Sequence, residues 1–363
     1  MEKKKHFERP TMQRPPSMFN LTILTVIIGV VAGFGGYFLA RQVWPVSDID
    51  YFNLLDNRKE IKIDLEQPLT NLADQHQKSV AGVYKKVQTL SAVGQPLFSE
   101  DDFLGSAVVV TSDGWMMTTD QVLKNTAASV VLGDRIYEIT DISEDDFSGA
   151  VFFKIDSNAL QPVDFQLTDD VKVGERLFTN IDLAKSYYHS FYTNFLTNTH
   201  YIAEQYLSSD EIDYYLQIDN QLPDVNLLAA PYFNISGDLL GIVYDYNDQI
   251  VLLPAEYLQQ ATKHLLEGTT RLSLAIRYVD MENNSGFMRK GNLVYHPSLR
   301  AIGPDSPALE AGLQVGDQIV AINNDVVSAD KTLTSILQNY RPGDSVIIKI
   351  LRNDVEQDIV VKL

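Results

Sequence analysis

The chain has 363 residues, 45% of them hydrophobic and 21% charged, which allows two or three compact domains and excludes wholesale disorder. It contains no cysteine, which excludes disulfides, thiolate metal sites and cysteine nucleophiles together and suits export to an oxidising space. A formal charge of −19 repels phosphates, so nucleic acid is excluded as a partner and the acidity reads as solubility.

In chain order, residues 1–20 form a basic tail. Leu21 to Ala40 then run for twenty residues without a charged side chain. At 1.5 Å per residue this spans about 30 Å, the thickness of a bilayer's hydrocarbon core, so residues 21–41 are predicted to be a transmembrane anchor. Residues 1–41 carry Lys3, Lys4, Lys5, Arg9, Arg14 and Arg41 against Glu2 and Glu8, a net of +4 that leaves −23 on the other 322. Five of those cations precede the span, so the tail is expected in the cytoplasm and everything beyond Arg41 outside, on a single-pass protein of the cell membrane. A cleaved signal peptide would need a small residue three before the cut. Phe38 is too large for that after Ala40, which favours an uncleaved helix with Tyr37 and Trp44 near the outer interface. Gly29/Gly33 and Ala32/Gly36 are small pairs at the spacing that lets helices pack closely, although glycine is common in membrane helices anyway.

Residues 42–78, broken by Pro45 and Pro68, read as a stalk. From 79 to 268, short runs such as SAVVVTS, WMMTT, SVVLG, AVFFKID, YLQID, LLGIVYD and IVLLP alternate with Gly, Asp and Asn turns, the pattern of a β-barrel or sandwich. Pro254–Leu266 reads as an amphipathic helix closing that unit, with Gly268 just past its end. Residues 270–363 form a further unit: strand-like LSLAIRYV and NLVYH, a short helix SPALEAG ending at Gly312, VGDQIVAINN, helical TLTSILQNY, a PGD turn, and the strands SVIIKILR and EQDIVVKL.

Within that last unit stand Ser306-Pro307-Ala308, Ala311-Gly312-Leu313, Val315-Gly316-Asp317-Gln318-Ile319, Ala321-Ile322-Asn323, Arg341-Pro342-Gly343-Asp344 and Leu351-Arg352. This ordered set resembles a PDZ domain of the bacterial HtrA/Deg type. Such a domain captures an extended peptide by adding it to a sheet edge while backbone amides hold its terminal carboxylate. The resemblance places the carboxylate loop at Ser273, Leu274, Ala275 and Ile276, with Leu333, Ile336 and Leu337 on the facing helix; for those leucines plain core is the alternative. Ala275 stands where the family has glycine, a substitution expected to narrow the loop or to exclude a positive φ.

Upstream, Gly105-Ser106-Ala107-Val108-Val109-Val110 and Asp113-Gly114-Trp115-Met116-Met117-Thr118 resemble the paired strands leading to the catalytic histidine of the same family's trypsin-like domain. The resemblance puts that histidine on Gln121. Ala150–Asp156 resembles the strand opened by the catalytic aspartate, which falls on Gly149. After Leu216-Gln217-Ile218-Asp219, the nucleophile loop reads Asn226-Leu227-Leu228-Ala229-Ala230-Pro231, so the serine falls on Leu228. A hydrolytic triad needs a hydroxyl, an imidazole and a carboxylate to orient it. Leu228 has no nucleophilic atom, Gln121 does not titrate near neutrality, and Gly149 has no side chain. Loss of a serine nucleophile alone removes roughly 10⁶-fold of the rate. The expectation is therefore a protein that is not an enzyme: a membrane-tethered pseudoprotease.

The fold class expected is mainly β: an N-terminal transmembrane helix, a trypsin-like double β-barrel and a C-terminal PDZ domain. The expected function is binding of peptides or unfolded exported proteins without cutting them, as a scaffold or regulator in envelope protein quality control. The family resemblance implies a homotrimer, or a mixed oligomer with an active relative. Two other readings stay open. An active serine-type endopeptidase with non-standard residues would draw its base from His189 or His200, in the aromatic-rich insertion Tyr187–Tyr206, where loop core is the default reading. A purely structural envelope protein would bind no peptide. No phosphate-binding glycine loop or metal-ligand spacing occurs, so neither cofactor nor metal is expected, and Glu144-Asp145-Asp146 reads as a solvated turn.

Overall fold

The apolar run near the N-terminus is one helix, α1 (Met18–Val43), 26 residues and so about 39 Å long. Within it, Met18–Leu39 is long and apolar enough to cross a membrane. Its two threonines turn back on the helix: Thr22 Oγ1 donates to the Met18 carbonyl at 2.8 Å and Thr25 Oγ1 to that of Leu21 at 2.6 Å. Both hydroxyls are thus satisfied without water, as a hydrocarbon surrounding demands. The computed structural model describes residues 17–43, 72–73, 76–87, 98–124, 126–166, 171–181, 190–219, 226–282, 290–297, 301–329 and 331–363. Most of the expected tail and stalk, Trp44, Tyr187, Tyr188 and His189 lie outside the described residues. By contacts the chain divides into Met1–Ile63, which holds α1, and Asp64–Leu363, which holds everything below.

Six short strands close the first barrel: β1 (Val80–Lys85), β2 (Phe103–Val109), β3 (Trp115–Thr119), β4 (Ala128–Leu132), β5 (Arg135–Asp145) and β6 (Ala150–Ile155), in the order β1-β2-β3-β6-β5-β4. β2 and β6 are buried along nearly their whole length, which explains why they read as apolar runs rather than as alternation: both of their faces are covered. Val83, Val109, Met116, Val130, Phe153 and Ile155 are among the side chains that fill the interior. One helical turn, α2 (Asp120–Leu123), leaves the end of β3.

The second barrel closes through β7 (Arg176–Ile181), β8 (Ser190–Tyr201), β10 (Tyr215–Ile218), β11 (Pro231–Phe233), β12 (Leu239–Tyr246) and β13 (Gln249–Pro254), in the order β10-β13-β12-β11-β7-β8. Here the structure departs from the sequence reading. From Ser190 to Tyr201 the aromatic insertion is a twelve-residue barrel strand, paired with β7 on one side and β10 on the other. Its Thr, Asn and aromatic residues form no apolar run, so the neighbouring strands decide its conformation. The amphipathic helix α3 (Ala255–Glu267) closes the barrel as expected, burying Tyr257, Leu258 and Ala261 and ending at Gly268.

The third sheet contains β14 (Arg277–Asp280), β15 (Asn292–Val294), β16 (Gln318–Ile322), β17 (Asp325–Val326), β18 (Ser345–Arg352) and β19 (Val355–Lys362), with helices α4 (Pro307–Glu310) and α5 (Leu333–Leu337). Its order is β19-β18-β16-β15-β14-β9, and the edge strand β9 (Leu207–Ser208) comes from between the strands of the second barrel. Arg352, at the end of β18, grips Asp317 with two bonds of 2.7 Å, while Asp317 also accepts the Gln314 N–H at 2.8 Å. The short Val315–Ile319 motif and the distant Leu351-Arg352 are therefore one structural unit, a bidentate pair holding a tight turn.

Candidate functional site

Gln121, Gly149 and Leu228 gather around α2. Gln121 reaches from the first barrel to the second: its Nε2 donates to the Asp245 carbonyl at 2.7 Å and its Oε1 accepts the Asp245 N–H at 2.9 Å. This is a two-bond clamp between β12 and α2. It uses adjacent donor and acceptor atoms, which an imidazole, with its diverging ring nitrogens, does not have.

Gly149 ends the turn between β5 and β6 at φ 69°, where an L side chain is strained. A Cβ built there would lie 3.4 Å from Asp120 Oδ1 and 3.6 Å from the ring of Tyr244. The Asp120 N–H in turn donates to the Gly149 carbonyl at 2.9 Å. Burial first, and then the Asp120 carboxylate, push the Tyr244 hydroxyl above its usual range. The carboxylate at this point is thus Asp120, and it faces a phenol.

The loop holding Leu228 is tied down from within. Asn226 Oδ1 accepts the Leu228 N–H at 3.0 Å, and Asn226 Nδ2 donates to the Leu104 carbonyl at 3.0 Å. The N–H groups of Ala229 and Ala230 donate to the carbonyls of Val243 and Leu227 at 3.0 and 2.8 Å. Acyl-transfer catalysis needs backbone N–H groups aimed at the developing oxyanion, and these three are already engaged. The Leu228 side chain packs on the first barrel's core. A cleft of about 210 Å³ opens beside Gly149; its lining includes the acids Asp120, Asp146, Glu204 and Glu211 and the tyrosines Tyr215 and Tyr244, and no imidazole lines it among the described residues. His200, on β8, lies against Tyr214 at 4.4 Å between ring centres, its Nδ1 3.2 Å from Thr199 Oγ1.

The second group of expected residues does come together. Ser273, Leu274, Ala275 and Ile276 form the loop entering β14, and Leu274 and Ile276 share one buried cluster with Leu333, Ile336 and Leu337 of α5. Ala275 adopts φ 56°, so of the two expectations for its replacement of glycine, a narrowed loop or an excluded positive φ, the second does not hold. Gly303 makes room for it, since a Cβ there would come within 2.9 Å of the Ala275 Cβ.

Residues that no sequence motif marks complete this site. Asp210 Oδ1 accepts the N–H groups of Leu274 and Ala275 at 3.1 and 3.2 Å, and Asp210 Oδ2 accepts the Ser273 hydroxyl at 2.8 Å. Ser209 Oγ accepts the Ile276 N–H at 3.1 Å. Asp213, nearby, is buried: the hydroxyls of Tyr257 and Tyr278 donate to it at 2.7 and 3.1 Å, and Tyr278 lies 3.0 Å from the Thr334 hydroxyl. Burial pushes the Asp213 carboxyl upward. Asp210 is separated from its loop by 64 residues, and no local spacing marks it.

Two six-stranded antiparallel barrels and a closing helix, followed by a third sheet with two short helices, define a protein of the trypsin-like protease fold joined to a PDZ domain. The model of the PDZ domain matches residues 277–363. The chain is 23% identical to a probable periplasmic serine endoprotease, DegP-like, of Halomonas elongata, over 71% of this chain and 56% of that protein. It is 25% identical to the corresponding protein of Ectopseudomonas mendocina, over 73% and 57% of the two. To the serine endoprotease DegS of Haemophilus influenzae it is 22% identical, over 76% of this chain and 81% of that one. The chain spans little over half the length of the DegP-like relatives it matches. Among solved structures, the HtrA-type protease AlgW with tripeptide aligns at a TM-score of 0.58 and 18% identity, over 81% of this chain and 95% of that one. The PDZ match and these relatives together support an HtrA-type protein, with a trypsin-like domain followed by a PDZ domain.

Proposed function

We propose that this protein is a membrane-anchored HtrA-type pseudoprotease, which binds C-terminal or unfolded segments of exported proteins through its PDZ groove and does not cut them. The observation that carries the reading is the state of the triad positions. Gln121 is committed to clamping the two barrels, Gly149 offers no side chain beside Asp120, and the Leu228 N–H is closed off by Asn226. Such a site supplies neither nucleophile nor base nor oxyanion donor. Support for peptide binding comes from the PDZ match and from the loop Ser273–Ile276, whose N–H groups converge on a carboxylate. The DegP-like relatives are named probable periplasmic serine endoproteases, which favours a place in envelope protein quality control, with α1 as the anchor and the barrels outside. A homotrimer, or a mixed oligomer with an active relative, belongs to the same reading.

The test is hydrolysis of unfolded casein by the purified full chain in detergent. The expected result is no cleavage above that of a mock preparation. Cleavage that copurifies with the protein, and is absent from the mock, overturns the pseudoprotease reading.

A further inference from the structure

The loop Ser273–Ile276 and the strand after it form a seat for a chain end: a sheet edge for an added strand, then successive N–H groups for a carboxylate. In this structure the chain itself sits there. β9 pairs antiparallel with β14, Leu207 opposite Tyr278 and Ser208 opposite Arg277, so its backbone runs toward the loop. Ser209 continues the pairing, its N–H donating to the Ile276 carbonyl at 3.0 Å. Asp210 then arrives where a terminus would lie. The N–H groups of Leu274, Ala275 and Ile276 all find their acceptors on the side chains of Asp210 and Ser209. Leu207, two residues before Ser209 and on the same face of the added strand, is buried in the cluster formed with Leu333, Ile336 and Leu337.

We propose that Leu207–Asp210 is a built-in ligand of the PDZ groove, and that the external ligand is a peptide with a free C-terminal carboxylate which binds by displacing it. This rests on the peptide-binding reading above. The chemistry of the occupant sets the chemistry of the competitor. A loop whose three N–H groups are met by carboxylate and hydroxyl oxygens selects a terminal carboxylate over an amide. The burial of Leu207 selects an apolar residue two positions before the last. The two-residue strand β9 is a short pairing to give up. The segment's other end is held by Asp213, bonded both to Tyr257 of α3 and to Tyr278 of β14, so displacement also loosens the junction between barrel and PDZ domain.

The experiment uses the full chain in detergent micelles and fluorescein-labelled decapeptides with leucine third from the end and an aliphatic or aromatic last residue. Each is made as free acid and as amide, and binding is read by anisotropy. Asp210→Ala is expected to bind the free acid about tenfold more tightly than the parent, as it would if the parent groove were open in about a tenth of molecules, with the amide weak throughout. A second variant does not depend on removing Asp210. The Arg277 N–H and carbonyl bond Ala301 and Tyr295 on the other side of β14, so Ser208 and Arg277 face each other as a non-hydrogen-bonded pair. Their Cα atoms then lie about 4.5 Å apart, within reach of a disulfide. In this cysteine-free chain, oxidised Ser208→Cys/Arg277→Cys is expected to lose free-acid binding by tenfold or more and to regain it on reduction. If the free acid binds parent, Asp210→Ala and oxidised pair alike, the built-in ligand is overturned and the peptide-binding reading stands. If no form binds any free-acid peptide, both fall.

Discussion

Gln121, Gly149 and Leu228, which we propose as the positions of a lost triad, carry other structural work, and this decides what a histidine, an aspartate and a serine there would do. Gly149 at φ 69° disfavours any L side chain by about 1–2 kcal/mol, and an aspartate there would face the Asp120 carboxylate. Gly149→Asp is therefore expected to lower stability by about 2 kcal/mol, read as a shift in the denaturant midpoint without a change of slope. The triple variant Gln121→His, Gly149→Asp, Leu228→Ser is expected to remain inactive on casein, because it also removes the Gln121 clamp and leaves the Leu228 N–H bonded to Asn226. Recovered cleavage would show that these bonds yield readily. A second residue-scale effect involves His76, which is buried and stacked on Phe233 at 3.9 Å between ring centres. Burial lowers its pKa to about 4, against a smaller opposing pull from Asp238. Because the folded pKa lies below the unfolded value of about 6.5, its contribution is fully present above pH 6.5 and is lost as the pH falls toward 4. His76→Phe is expected to flatten the melting temperature across that interval, while parent and variant differ least above it.

Among the elements, the passage from α3 into the PDZ sheet carries an unusual density of directed contacts. Arg271 donates from Nε to Asp145 Oδ1 at 2.7 Å, from Nη2 to Asp145 Oδ2 at 3.0 Å and to the Tyr257 carbonyl at 3.1 Å, and from Nη1 to Gln338. Its guanidinium lies 4.2 Å from the centre of the Phe147 ring. One side chain thus joins β5 of the first barrel, the closing helix and the segment after α5, and both charged partners are nearly covered, with 10% and 13% of their side chains exposed. Removing one member of a buried pair leaves the other uncompensated, at a cost of about 3–5 kcal/mol. Arg271→Ala is therefore expected to destabilise by about 3 kcal/mol, and to loosen the PDZ domain before the barrels, read by hydrogen exchange at β14 and β16. Equal loss of protection in β2 and β6 would show that the junction does not act locally.

For the whole molecule, the contrast lies between a basic, apolar beginning and an acidic remainder. α1 presents apolar side chains around its full circumference from Met18 to Leu39, which suits lipid on every side and no soluble core. The chain is accordingly expected to stay with the membrane fraction after alkaline carbonate washing, and removal of residues 1–44 is expected to release it. A soluble full-length chain would sink the anchor.

The sequence alone determined the apolar span, the two β units and the closing helix, and it put glutamine, glycine and leucine at the three positions proposed for the triad. Each of these is written in residue type or short-range pattern: Leu228 cannot attack anything in whatever fold it sits, and Gly268 marks the end of α3 from its place in the chain. Only the tertiary structure decided what fills the places left behind. Gln121 became a clamp because β12 brings Asp245 to it from 124 residues away, and β8 became a strand because β7 and β10 flank it. Asp210 and Ser209 entered the PDZ loop because β9 leaves one barrel to join another domain's sheet. Contacts over such separations depend on how the sheets close, and the sequence near Asp210 holds only a short acidic cluster, Asp210, Glu211 and Asp213, with no periodicity in which that closure could be read.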